Sequence, residues 1–278
     1  MGYPSILVHL DNGRTTPGRI ATAVCLAERF DAHLTGLAPT GWASIPPDVG
    51  GALGLAAYQE ATMDALREQA DDCVRHFLEQ ASGGNLRSYE GRADVGFAEE
   101  VMTLAARYCD LTVVTQPDPD LAQSPRIAEE LLLRSGRPLL VLPYAGDAAL
   151  PPAPRVLVGW NGSREAARAL HDALPLLRAA TSVQVAVFEA PDDIDSPHGD
   201  LPGADIGLWL ARHRVKVDVN FVPVAVSAGE ALLSHAADAS ADLIVAGGYG
   251  HSRFREAVLG GVTRTLLRSS PVPVLLSH

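Results

Sequence analysis

The sequence predicts an α/β protein of two tandem, doubly wound domains, each built on a five-stranded parallel sheet. Two observations predict it. Short Val/Ile/Leu-rich runs alternate with amphipathic stretches of helical length, the pattern of right-handed βαβ units whose sheet is covered on both faces. The order of elements also repeats at a displacement of about 150 residues, since Ser5 to Pro39 and Arg155 to Pro191 both run strand, Asp/Asn-Gly turn, alanine-rich helix and strand.

In the second copy, strands are predicted over Arg155–Trp160, Ser182–Phe188, Lys216–Val222, Asp242–Ala246 and Val272–Leu276. Helices are predicted between them, over Arg164–Arg178, Ile206–Arg212, Gly229–Ala239 and Val262–Arg268. The repeat reaches further along the chain: Cys109 to Val114 matches Ala241 to Ala246, and Leu132 to Ser135 matches Leu266 to Ser269. Between the copies, Gly146 to Pro154 carries prolines and small residues, which disfavour helix and cannot feed a central strand. The chain therefore divides into a first domain over residues 1–145, a linker over 146–154 and a second domain over 155–278, each near the commonest domain size. The first copy holds an insertion in which Thr40 to Gly54 is Pro/Gly-rich, as in a mobile cover, and Leu55 to Ala81 has the pattern of an amphipathic helix. Pro138–Leu142 and Pro273–Leu276 are duplicated apolar sheet edges that need covering, so the halves are expected to pair as an intramolecular pseudo-dimer, with the outer surfaces left for a further homodimer.

Hydrophobic residues make up 47% of the chain and charged ones 20%, the balance of an ordinary globular protein. A net charge of -11 argues against nucleic acid as a partner, because counterion release needs a basic face. No apolar run approaches the roughly 20 residues of a membrane span, and the opening MGYPSILVHLD enters a strand at once instead of a signal core. Cys25, Cys73 and Cys109 form no CxxC pair and are an odd number, which suits a reducing cytoplasm. The nine histidines contain no pair at the i, i+4 spacing of a helical zinc site, so no metal is expected. Asp192, Asp193 and Asp195 read as a solvated loop.

Gly247 to Thr263 reads GGYGHSRFREAVLGGVT, between the apolar run Leu243–Ala246 and the helical stretch from Val262. Strand, glycine loop and helix start make a phosphate-binding layout: orphan amides point into the loop, and glycine lets a polyanion approach the backbone. The spacing is Gly247, two residues, Gly250, nine residues, Gly260. This spacing, with the strand before it and the SSPVPVLL run after it, resembles the nucleotide loop of the universal stress protein family, and Arg155 to Pro191 looks like that family's opening strand, helix and strand. The resemblance implies a Rossmann-like fold with strand order 3-2-1-4-5 and an adenine nucleotide, ATP, as ligand. In such sheets ligands bind beyond the carboxyl ends of the strands where the order reverses, which selects Asn161 after the first strand and Gly247 to Gly250 after the fourth. The expected binding residues are Asn161, Gly247, Gly250, Gly260, Gly261, Val262 and Thr263.

Two of these positions depart from the family pattern. Asn161 stands where the ATP-binding members usually have aspartate, and Gly261 stands where a hydroxyl residue would face phosphate. Asn161 and Ser163 also suit a turn and helix cap, and Thr263 suits either a phosphate contact or a cap of its own helix. His251, Arg253 and Arg255 add positive charge to the loop. The matching loop of the first copy, Gln116 to Pro125, has lost all three glycines and gained prolines and aspartates, so ATP is not expected there and Asp11 reads as a turn residue. No GxSxG elbow, Walker motif or complete GxGxxG is present, so no catalysis is expected. These observations lead to a cytoplasmic stress-response protein with one weakened ATP site in its second half, acting by binding. The alternative is a ligand-free interaction module in which both crevices are relics.

Overall fold

In a computed structural model, the described residues are 2–42, 52–120, 126–145, 149–189, 203–223, 227–249 and 261–278. The first half runs β1 (Ser5–His9), α1 (Thr16–Phe30), β2 (His33–Pro39), α2 (Ala52–Ser82), β3 (Ser88–Asp94), α3 (Ala98–Ala106), β4 (Leu111–Thr115), α4 (Ile127–Arg134) and β5 (Leu139–Leu142). The second half repeats this order with β6 (Arg155–Trp160), α5 (Arg164–Ala179), β7 (Ser182–Glu189), α6 (Ala204–Arg212), β8 (Val217–Pro223), α7 (Ala228–Asp238), β9 (Leu243–Gly247), α8 (Gly261–Ser269) and β10 (Val274–Ser277). The helix expected from Leu55 begins earlier, at Ala52. Most of the Thr40 to Gly54 insertion, with the start of the linker, lies outside the described residues.

The ten strands of the described residues form one sheet in the order β3-β2-β1-β4-β5-β10-β9-β6-β7-β8. Every pairing is parallel except β5 with β10, where Leu139, Leu140 and Val141 face Leu276, Leu275 and Val274 in antiparallel register. Each of these edge strands would expose a row of unpaired amides and carbonyls, and each satisfies the other. Their side chains are buried, so hydrogen bonding and burial coincide at this seam.

The duplication is visible atom by atom. Asp110 accepts the Ser5 amide at 3.0 Å and Asp242 accepts the Arg155 amide at 2.8 Å, so in both halves a carboxylate ahead of the fourth strand anchors the start of the first. Asp242 also pairs with the Arg155 guanidinium at 2.8 Å. Two apolar layers, one on each face of the sheet, draw residues from both halves. The described part of the linker is tied down: Arg29 donates to the Pro151 carbonyl at 2.9 Å, Thr181 to Ala153 at 2.7 Å, and Leu150 is buried.

Leu275→Ala removes buried methyl groups from the seam strand and should destabilise by about 2–5 kcal/mol. Urea unfolding followed by tryptophan fluorescence and far-UV circular dichroism should show one transition, shifted together in both signals. Two separated transitions would mean that the seam does not couple the halves.

Candidate functional site

The order of the second five strands reverses at β6, which lies between β9 and β7, and such a switch point, beyond the carboxyl ends of β6 and β9, is where ligands bind in sheets of this kind. β6 ends at Trp160, and the chain turns through Gly162, whose φ of 70° is the left-handed conformation that glycine adopts without strain. The Asn161 side-chain carbonyl accepts from the Ser163 amide at 3.2 Å and the Ser163 hydroxyl at 2.7 Å, while that hydroxyl oxygen accepts the Ala166 amide at 3.2 Å. Asn161 thus shapes the turn, and Ser163 caps α5.

β9 enters from the other side. A Cβ on Gly247 would stand 2.5 Å from the Ala166 nitrogen and 2.6 Å from the Glu165 carbonyl carbon, so glycine here lets the start of α5 pack against the strand end. A Cβ on Gly248 would stand 2.6 Å from a methyl group of Leu132, on α4 of the first half. Glu165 is buried beneath this turn. Burial opposes its ionisation, but the ion pair with Arg164 prevails and holds its carboxyl below the ordinary value.

The Tyr249 amide donates to the Thr263 hydroxyl at 3.0 Å, and Thr263 is only 2% exposed. Its oxygen therefore ties the two ends of the glycine loop together, a role that neither a phosphate contact nor a cap of its own helix anticipates. Gly250 and Gly260, with His251, Arg253 and Arg255, lie outside the described residues. Gly261 opens α8 at the surface, and a Cβ added to it meets nothing within 4 Å among the described residues. The first turn of α8 carries no acidic residue, and Val262 is partly buried against the apolar layer.

The far end of the same helix belongs to the first half. Gln116, buried after β4, donates its amide to the carbonyls of Leu266 at 3.2 Å and Ser270 at 3.0 Å, while its own carbonyl accepts the Tyr144 amide at 3.0 Å. The last carbonyls of a helix are short of intrahelical donors, and among the described residues the Leu266 carbonyl otherwise has only the Ser270 amide, at 3.4 Å. Here the donor crosses from the other half.

The first-half crevice holds a network that the sequence hides. Arg19, 2% exposed on α1, donates to the His9 carbonyl at 2.7 Å, Thr115 at 2.8 Å and Thr16 at 2.9 Å, and its guanidinium lies 2.9 Å from Asp11. Asp11 also accepts the Gly13 amide at 2.8 Å and the Thr16 hydroxyl, and His9 Nδ1 lies 3.3 Å from it. It is a turn residue, as expected, and in addition the counterion of a buried arginine. Burial opposes the Asp11 charge, but Arg19, His9 and the two hydrogen bonds bring its pKa down to about 2. Burial first, and then Arg19, push His9 down to about 3, against a smaller opposite pull from Asp11. His9 is neutral near pH 7 and does not serve as an acid there. A signal was present in the sequence: Arg19 sits among Ile20, Ala23 and Val24 on the buried face of α1. Above this floor lies a cavity of about 1320 Å³. Among the described residues, no group of three His, Cys, Asp or Glu could hold a metal ion, and no helix is long and apolar enough to cross a membrane.

Residues 153–278 match the family model described as universal stress protein family. The whole chain is similar in fold to a universal stress protein from Archaeoglobus fulgidus DSM 4304, with a TM-score of 0.77 at 15% identity over 98% of this chain and 95% of that one. It is also similar to a functionally unknown protein from Pseudomonas aeruginosa PAO1, with a TM-score of 0.63 at 14% identity over 99% and 92%. No curated protein matches the chain.

The His9 network generates a pH dependence of fixed sign. The unfolded chain takes up a proton on His9 below the ordinary 6.5, whereas the folded chain resists until about 3, so stability falls as pH drops through that window. Between pH 7.5 and 5 the loss from this group is about 2 kcal/mol. Asp11 adds to it only below the ordinary 3.8, as pH falls toward 2. Urea midpoints at pH 7.5 and 5 should therefore differ more in the native protein than in His9→Gln, and equal differences would contradict a neutral buried His9.

Proposed function

We propose, from the match of residues 153–278 to the universal stress protein family model, that the chain is a cytoplasmic stress-response protein that binds an adenine nucleotide weakly in its second half and acts through that binding rather than by catalysis. The observation that carries the proposal is the start of α8. Its first residue, Gly261, is open on the Cβ side, stands at the end of the glycine loop and faces no acidic residue in its own first turn. Orphan amides and the positive end of the helix dipole favour a phosphate there. Gly247 ends β9 and Asn161 follows the adjoining β6, so both would border such a ligand, to which Asn161 offers a neutral amide in place of a carboxylate.

Weakness follows from Gly261. A hydrogen bond to a charged group contributes about 1.5–3 kcal/mol, so the absent hydroxyl lowers affinity about ten- to a hundredfold. Output follows from the other end of α8. A ligand that orders its first turn acts on a helix whose last carbonyls are held by Gln116 of the first half, so binding biases contacts between the halves.

The reading in which both crevices are relics has its own support, since Gly247 is accounted for by packing and Thr263 by its bond to Tyr249. Calorimetry separates the two. ATP should bind at one site per chain, and Gly261→Ser should raise the affinity about tenfold or more. Two sites per chain would contradict the assignment to the second half. No binding by either protein, with both folded by circular dichroism, would establish the relic reading.

A further inference from the structure

The first-half cavity has a chemistry of its own, distinct from that of a phosphate site. Its loop after β4 carries Pro117 and Pro119, which offer no amide, and its carboxylate Asp11 is already satisfied by Arg19, His9, Thr16 and Gly13. Four carboxylates and four guanidiniums line it among the described residues, so the cavity carries no net charge toward a polyanion. Sparing charge and closing the floor would leave an inert depression if the walls were polar. They are not.

One wall is aromatic. Trp42 and Phe97 are 55% and 52% exposed, with ring centroids 6.3 Å apart. They are brought together by the bridge between Gly41 and Gly96, where the Gly41 amide donates to the Gly96 carbonyl at 2.9 Å. Two large rings fixed side by side and left open to a cavity keep apolar area in water, and covering that area is favourable at about 25 cal/mol per Å². The cavity continues from them over Ile127 and Leu267. Across it, Arg14 stacks on the Tyr144 ring at 4.3 Å and Arg126 lies 3.8 Å from Glu129. Arg268, exposed at the end of α8, makes no ion pair among the described residues and also lines the cavity.

We propose that this cavity is a second ligand site, for a planar aromatic molecule bearing a single anionic group such as a carboxylate. The ring stacks on Trp42 and Phe97, and the anionic group meets the Arg268 guanidinium, the one lining arginine without a carboxylate or aromatic partner among the described residues. A monoanion adds one charge to a balanced wall and finds one cation; a triphosphate would bring several charges to that single cation, beside a loop whose Pro117 and Pro119 donate no amide. The site is independent of the proposed nucleotide crevice, which opens at the other end of α8.

The test uses 2-naphthoate as probe, with calorimetry on the full chain. One molecule should bind per chain, with Trp42→Ala weakening it about tenfold or more and Arg268→Ala by a similar factor. Both side chains are exposed, so neither change threatens the fold. The cationic 2-naphthylmethylamine should bind at least tenfold more weakly than the acid. Gly261→Ser should leave naphthoate binding unchanged, whatever it does to ATP, which keeps this outcome separate from that of the nucleotide site. Absence of naphthoate binding, binding indifferent to Trp42→Ala, or equal binding of the amine would each overturn the proposal.

Discussion

The antiparallel ladder between Leu139–Val141 and Val274–Leu276 is the contact on which the rest of the molecule depends. A doubly wound sheet ends in an edge strand, and an open apolar edge recruits whatever strand it meets. By pairing the fifth strand of one copy with the fifth of the other, the chain removes both inner edges at once. The pairing reverses strand direction at the seam alone, so the carboxyl ends of the two copies open on opposite ends of the sheet. It also fixes the helices next to the seam. Leu132 of α4 fills the space beside Gly248, and Gln116 reaches the last turn of α8.

Much of this was legible in the sequence. Alternating apolar runs and the repeat between Ser5 and Pro191 disclosed the α/β class and its duplication, because strand and helix periodicities survive even where side chains have diverged. The paired prolines and leucines at Pro138 and Pro273 marked edge strands. What the sequence obscured were contacts whose partners are distant along the chain. Gly247 and Gly248 look like phosphate glycines, yet the immediate constraint on each is a neighbour that comes within 2.6 Å of a Cβ, α5 in one case and Leu132 in the other. Thr263 has the spacing of a phosphate contact, and its hydroxyl also holds the Tyr249 amide. Arg19 was the clearest missed signal, since a guanidinium among Ile20, Ala23 and Val24 must bring a carboxylate into the core with it.

The two crevices have diverged in opposite physical directions. The first has filled its base with a closed set of charges and hydrogen bonds, from His9 to Thr115, and has replaced backbone donors with prolines. The second has a glycine at the head of α8 and a neutral amide at Asn161. Burial makes the first rigid at its floor, because Arg19 cannot leave Asp11 without stranding an ion in an apolar layer. The wall above that floor is differently built, with its two half-exposed rings and the free end of Arg268.

Gln116 stands where the second copy has Gly248, so equivalent positions of the internal repeat carry an amide side chain in one copy and a glycine in the other. Each loop then carries an obligation to the opposite copy: one must supply donors to α8, and the other must leave room for Leu132. A gene duplication normally frees one copy to drift. Here a change at Gln116 would take a donor from the last turn of a helix in the other copy, so the first loop is constrained even where no ligand is shared.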